Sequence, residues 1–316
     1  MINLPTKQDI EQAAIRIQPY IHRTPILTSS AINDTAGCSI YFKCENLQKA
    51  GVFKARGASN AVFSLTEEEI KKGVATHSSG NHAAALALAA SLKKCNAYIV
   101  MPSNANKQKV KAVKSYGGQI TFCEPTLQAR EDTLSDIIAK TNAIEIHPYN
   151  NFNIIAGQAT AAKELLEDYN DLEIIMTPVG GGGLLSGTAL SAFYFGNNLM
   201  VIGCEPSGAD DAKKSFSSKT LVPSVSPNTI ADGLLTSLGS ITFEVILNYV
   251  HDILLADDNE IISAMRLIWE RMKIIVEPSS SVPLAVVLKN KELFAGKKVG
   301  IVLSGGNVDL NQLPFN

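Results

Sequence analysis

From residue 73 onward the chain alternates strand-length apolar runs with helix-length segments, and this rhythm limits the open folds more than any other feature. Runs at 73–77, 97–101, 119–123 and 143–147 read as strands, and the stretches 81–92, 106–116 and 128–140 between them read as helices. A second series starts with a helix over 154–169 and continues with strands at 174–179, 200–204 and 298–303. Ahead of both, 11–17 reads as an amphipathic helix stopped at Pro19, and 40–43 as a strand. After Lys54 a helix is expected through Ala61 and Phe63, ended by an acidic turn at Glu67, Glu68 and Glu69. Strands and helices alternating at these lengths build open, mostly parallel sheets covered by helices on both faces. The expected fold class is therefore α/β with two such sheets. No repeat, low-complexity tract or proline-rich linker separates the series. The expectation is one lobe inserted into another, with residues 71–147 forming a small lobe and residues 1–70 and 148–316 a large one around a cleft.

Charge and composition exclude several classes. A net charge of −2 over 316 residues leaves no basic footprint for nucleic acid or an anionic membrane surface. The start Met1-Ile2-Asn3-Leu4-Pro5 lacks a basic region followed by an apolar core, so no secretory signal is expected. The longest apolar stretch, 83–92, is too short to span a bilayer. Five cysteines, odd in number and without a Cys-x-x-Cys pair, fit reduced thiols in a cytoplasmic protein.

Open α/β sheets bind ligands beyond the carboxyl ends of their strands. Three polar or glycine-rich loops fall there: Ser78-Ser79-Gly80-Asn81-His82, Gly180-Gly181-Gly182-Gly183, and Ser304-Gly305-Gly306-Asn307. The first two run into helices, whose free N–H groups and dipole favour an anion. None fits a Walker A loop or a clean Gly-x-Gly-x-x-Gly, and Gly-x-Ser-x-Gly is absent. Lys54, in Phe53-Lys54-Ala55-Arg56-Gly57, is a lysine in an apolar setting. Such a lysine can shed its proton and attack a carbonyl, although a surface lysine with a buried stem has the same local sequence. Lysine and tetraglycine together point to a cofactor with both an aldehyde and a phosphate, pyridoxal phosphate. The acidic run from Glu205 to Asp211 is either a solvated turn or a source of two carboxylates and a carbonyl for a hard divalent cation.

With these motifs the chain resembles the β-family, or fold type II, of pyridoxal-phosphate enzymes, whose architecture is like that of the tryptophan synthase β subunit. Within it the chain is most similar to the serine racemase and threonine/serine dehydratase group, over about residues 10–310. The resemblance implies that Lys54 is the Schiff-base lysine and that Phe53 lies against the pyridine ring. It implies that Ser78, Ser79, Asn81 and His82 bind the substrate carboxylate, with Asn81 reaching the ring oxygen, and adds Arg130 to the substrate-binding set. Gly180 to Gly183 with Leu184 form the phosphate cup, Ser304 meets the pyridine nitrogen, and Gly233 covers the other ring face. Glu205, the Ala209 carbonyl and Asp211 match a divalent-cation site for magnesium, or else manganese or calcium. Tyr149 departs from the asparagine of mammalian racemases. Of their nucleotide-activation site only fragments such as Lys109 and Asn307 are matched.

The resemblance also implies chemistry. Lys54 works on one face of the α-carbon, and Ser79, where dehydratases usually carry alanine, works on the other. The expected activity is loss of water and ammonia from L-serine and L-threonine to give 2-oxo acids, together with serine racemisation. Alternatives are a dedicated threonine ammonia-lyase, a threo-3-hydroxyaspartate ammonia-lyase, and a non-enzymatic phosphate-binding regulator, which would leave Lys54 unexplained. The expected partners are a small amino-acid substrate and a second copy of the chain, with neither nucleic acid nor membrane.

Overall fold

Ten strands form two sheets in the computed structural model, which describes residues 2–78 and 80–315. In chain order they are β1 Ile26–Leu27, β2 Ser39–Cys44, β3 Val74–His77, β4 Ala97–Pro102, β5 Gln119–Cys123, β6 Ile144–Glu145, β7 Ile174–Pro178, β8 Met200–Pro206, β9 Asp252–Ala256 and β10 Lys298–Leu303. The larger sheet has the order β1-β2-β10-β7-β8-β9 and the smaller β5-β4-β3-β6. Among the paired strands of the described residues, only β1 and β2 run antiparallel. Both central strands of the larger sheet, β10 and β7, are buried along nearly their whole length, as parallel strands covered on both faces must be. Separate apolar clusters fill the two faces of each sheet.

The sequence reading missed β1 and β9. β1 has two residues, and β9 lies at a sheet edge with an irregular burial pattern. The acidic run 67–69 is a second difference. It forms the first turn of the helix Glu67–Lys72, capped by Thr66, whose hydroxyl accepts from Glu69 N–H while Glu69 accepts from Thr66 N–H. This reciprocal cap satisfies two free donors, and the carboxylates suit the positive helix end.

Two long helices lead from this scaffold to the ligand end. The helix Phe152–Asp168 lies against both the helix Lys54–Phe63 and the helix Gly183–Phe195. At the first crossing a Cβ on Gly157 would stand 2.6 Å from the Gly57 Cα, so the backbones meet with no side chain between them. At the second, a Cβ on Gly187 would stand 2.6 Å from the Ala159 N. A glycine pair at one crossing and a single glycine against Ala159 at the other thus set the separation of the lysine helix and the glycine-loop helix from one shared element.

A buried charge cluster fixes the start of the lysine helix. Arg56 donates from Nε and Nη2 to Glu45 at 2.7 and 2.8 Å, and from Nη1 and Nη2 to Glu164 at 2.8 Å each. Lys43 Nζ donates to Glu164 at 2.6 Å and to the Thr24 carbonyl at 2.7 Å. Arg56, Glu45 and Lys43 have no exposed side-chain surface. Burial works against the Arg56 charge, but Glu45 and Glu164 outweigh it and hold its pKa above the ordinary value. Two cations and two carboxylates balance, and the bidentate guanidinium geometry suits the pairing. Removing one partner from such a cluster leaves an uncompensated buried charge. Arg56→Ala should therefore lose about 3–5 kcal/mol of unfolding free energy in a urea titration. Arg56→Lys, with one charge but no planar fork, should recover only part of the loss.

Candidate active site

β3, β7, β8 and β10 end on loops at the carboxyl edges of the two sheets, and a cavity of about 320 Å³ lies there. Its lining brings together Phe53, Lys54, Ser78, Asn81, His82, Arg130, Gly180 to Leu184, Gly233 and Ser304. Residues as far apart in the chain as Phe53 and Ser304 thus converge on one space. Ser79, the expected second-face residue, lies outside the described residues. Glu205, Ala209 and Asp211 do not line the cavity and form a separate place at the end of β8.

Lys54 opens its helix, and its Nζ donates to the Pro148 carbonyl at 2.8 Å. Burial pushes its pKa down to about 8, with no carboxylate hydrogen-bonded to it to oppose the shift. Burial thus brings the loss of the Lys54 proton much closer to neutral pH than in an exposed lysine, as an amine nucleophile or base requires. Phe53 holds its neighbour loop through backbone, its N–H donating to the Ser304 carbonyl at 2.9 Å.

The tetraglycine follows β7 and leads into the helix Gly183–Phe195. Gly182 has φ of +85°, and a Cβ on Gly181 would fall 2.3 Å from the Tyr149 ring. Glycine is required at both, by backbone conformation in one case and by close approach in the other. The helix carries no side-chain N-cap, so the N–H groups of its first turn are free for a ligand anion. Gly180 packs against the backbone of Gly233 and Leu234, which brings Gly233 beside the cup.

Opposite lies the helix Asn81–Leu92. Asn81 Nδ2 donates to both oxygens of Glu277, at 3.0 and 3.1 Å, while its Oδ1 accepts from Asn307 Nδ2 at 2.9 Å. Burial raises the Glu277 pKa to about 7, and the Asn81 hydrogen bond only partly opposes this. His82 Nε2 is 3.1 Å from the Ile146 carbonyl, an acceptor, so Nε2 carries the proton and the buried Nδ1 is an unpaired acceptor. Burial, with Lys54 nearby, drives the His82 pKa down to about 3. Burial also lowers His147 to about 4 and shifts His77 downward, so both are neutral where Arg130 and Glu131 line the same wall.

Sequence reasoning missed Glu277, His77, His147 and the serines Ser279 and Ser280. A signal existed for the last two: Ser279-Ser280-Ser281 are buried polar residues in the otherwise apolar helix Pro278–Lys289.

At the second place, Glu205 accepts from the N–H groups of Ala212 and Lys213 at 2.8 and 2.9 Å. Asp211 is 4% exposed, and neither carboxylate oxygen has a hydrogen-bond partner. Among the described residues no group of three or more His, Cys, Asp or Glu side chains is arranged for a metal. An orphaned buried carboxylate beside a second one nevertheless suits a hard cation that takes its remaining ligands from carbonyl and water.

A lysine amine facing a glycine cup defines a site for pyridoxal phosphate. The family model for pyridoxal-phosphate dependent enzymes matches residues 17–305, and the chain belongs to that family. It is 48% identical over 313 residues to the beta-hydroxyaspartate dehydratase of Paracoccus denitrificans, covering 99% of each chain. It is 50% identical over 312 residues to the serine racemase of Dictyostelium discoideum, covering 98% of this chain and 96% of that one. The crystal structure of the Dictyostelium racemase superposes with a TM-score of 0.93, over 96% of this chain and 99% of that one. The fold is that of fold type II pyridoxal-phosphate enzymes.

The lowered Lys54 pKa has a cost that stability measurements can read. At pH 7 the lysine is protonated in both folded and unfolded chains, and the cofactor-free fold bears the full penalty of burying the charge. Between about 8 and the ordinary 10.5 the folded lysine sheds its proton first, and the penalty lifts. Lys54→Met should thus stabilise cofactor-free protein by about 1–3 kcal/mol at pH 7, a range that discounts for solvent screening. The gain should shrink as pH rises through that window. Urea unfolding at the two ends of the window checks both sign and trend.

Proposed function

We propose that the chain catalyses β-elimination from L-serine and L-threonine, yielding 2-oxo acids and ammonia, and racemises serine. The observation that carries this reading is Lys54, its pKa lowered by burial to about 8, lining one cavity with the tetraglycine cup. In it, Lys54 holds pyridoxal phosphate covalently, the N–H groups of Gly180 to Leu184 take its phosphate, and Phe53 and Gly233 flank the ring. Asn81 reaches the ring oxygen and Ser304 the ring nitrogen. When bound, the cofactor supplies the electron sink that allows an α-proton to leave.

The remaining work falls to the protein. The free N-terminal turn of the helix Asn81–Leu92, with Ser78, Ser79 and His82, takes the substrate carboxylate. Lys54 Nζ, displaced by the substrate amine, removes the α-proton on its face. Ser79 exchanges a proton on the opposite face, which converts one enantiomer to the other. The small lobe, residues 71–147, closes over the substrate and excludes water. The ion pair between Lys109 and Asp232, which joins that lobe to the Gly233 turn, supports this. Glu205, the Ala209 carbonyl and Asp211 hold magnesium, manganese or calcium, in line with the orphaned Asp211 oxygens. The resemblance further supports a cytoplasmic homodimer. Among the described residues no helix is long and apolar enough to cross a membrane.

A second reading, elimination from threo-3-hydroxyaspartate, is favoured by Arg130. Its guanidinium is on the cavity wall with two neutral histidines, a setting suited to a second carboxylate. The Paracoccus relative is named for that substrate class.

Purified holoenzyme given each of the three substrates with magnesium, and assayed for 2-oxo acid and D-serine, separates these readings. Lys54→Ala should abolish both activities. Ser79→Ala should remove racemisation and spare most elimination; equal loss of both would sink the two-face assignment. Arg130→Ala should raise KM for 3-hydroxyaspartate about tenfold or more, the loss of a charged hydrogen bond, while changing that for serine little.

A further inference from the structure

Asn307 begins a short hydrogen-bonded chain of side chains that runs through Asn81 to Glu277. Its own segment is tied by backbone to the approach to Lys54. The Phe53 N–H donates to the Ser304 carbonyl, and the Gly306 N–H to the Gly51 carbonyl, at 2.9 Å each. The Asn307 side chain lies over that turn, where a Cβ on Gly51 would stand 2.6 Å from its Oδ1. From there Asn307 Nδ2 donates to the Ala50 carbonyl and to Asn81 Oδ1, at 2.9 Å each. Asn81 Nδ2 donates onward to both Glu277 oxygens, at 3.0 and 3.1 Å. The two oxygens of one carboxylate subtend a smaller angle at Nδ2 than its two N–H bonds do, so one N–H serves Glu277. The other has no acceptor among the described residues, and Asn81 lines the cavity.

A side-chain amide can be turned over with little change of shape, so its direction is fixed by what its neighbours give or accept. The Ala50 carbonyl accepts and never donates, so the Asn307 amide must turn its nitrogen there. That nitrogen also faces Asn81, which must answer with its oxygen. A turned-over Asn81 would oppose two nitrogens at Asn307 and two kinds of oxygen at Glu277. Ionised Glu277 would resist this alone. Burial raises its pKa to about 7, however, so its ionised form is not assured near neutral pH, and a protonated carboxyl can donate as well as accept. The Ala50 carbonyl has no second state of that kind. Asn307 therefore fixes the direction of Asn81 whether or not Glu277 carries a proton.

We propose that Asn307 is a positioning residue: it donates to Asn81 Oδ1 and so keeps the free Asn81 N–H directed as a donor at the ring oxygen of the bound cofactor. This rests on the reading above that the ring oxygen of pyridoxal phosphate lies at Asn81. A hydrogen bond donated there favours the ionised ring oxygen, one of the ways a protein tunes this cofactor. Asn307 is not part of the cavity lining and acts through Asn81.

The test reads the absorption of pyridoxal phosphate bound to the holoenzyme. The form with an ionised ring oxygen absorbs at longer wavelength than the neutral form, and the ratio of the two bands reports the donor. Asn81→Ala should lower the ratio of the longer to the shorter band about tenfold, as loss of a hydrogen bond to a charged oxygen does. Asn307→Asp keeps the size of the side chain but removes its donors, and should lower the ratio by most of that amount. In the Asn81→Ala background, Asn307→Asp should change nothing further, because its route is gone. Far-ultraviolet circular dichroism of each variant controls for the fold. Should Asn307→Asp not take up cofactor, Asn307→Ala carries the same comparisons without adding a charge. A parent-like ratio in the Asn307 variant, with Asn81→Ala shifted, overturns the role of Asn307. An equal further shift in the double variant means that Asn307 acts by another route, and overturns it too. A ratio indifferent to Asn81→Ala overturns the placement of the ring oxygen, and the inference with it.

Discussion

The site depends on a buried charge balance two residues away from its lysine. Arg56 takes both Glu45 and Glu164, and Lys43 shares Glu164, so the carboxylates nearest the lysine helix are already committed. Lys54, on the same helical turn, is left with a carbonyl as its partner. The same burial therefore has opposite outcomes for neighbouring cations. Arg56 is held above its ordinary pKa because two anions outweigh desolvation, while Lys54 falls to about 8 because nothing does. A lysine ready to lose its proton follows from where the paired charges are.

Close backbone contact does the complementary work on the phosphate side. Glycines at 57, 157 and 187 let three helices meet without side chains between them, and this sets where the Lys54 and Gly183 ends lie. At the cup itself, Tyr149 and Thr242 fill the space that any Cβ on Gly181 or Gly182 would need. The cup is thus shaped by residues that arrive from the end of the smaller sheet and from a helix over Ser240–Tyr249. Tyr149 emerges as the packing partner of the tetraglycine as well as part of the cavity wall.

Much of this was readable in the chain, for identifiable reasons. Strands β3, β4, β5, β7, β8 and β10 are long enough and apolar enough to stand out, and glycine or serine loops at their carboxyl ends mark ligand sites. Lys54, Asn81, the tetraglycine and Ser304 each lie within a local motif. Glu277 does not: it precedes Pro278 as an ordinary helix start, and its significance comes from Asn81, 196 residues away. Ser280 was hidden in the same way, because a serine in an apolar helix is informative only when its neighbour across space is known. The acidic run at Glu67 was misread as a turn because the capping role of Thr66 was overlooked.

By itself the sequence determined the α/β class, the loops that follow the strands, the candidate lysine and the family. These are local or periodic properties, and hydrophobic period, glycine runs and motif spacing record them directly. The tertiary structure decided the protonation tendencies and hydrogen-bond partners: a lowered Lys54, a neutral His82, a raised Glu277 carboxyl and the Asn81 amide committed to it. These depend on desolvation and on partners distant in the chain, and both exist only once the two sheets have brought their carboxyl edges together.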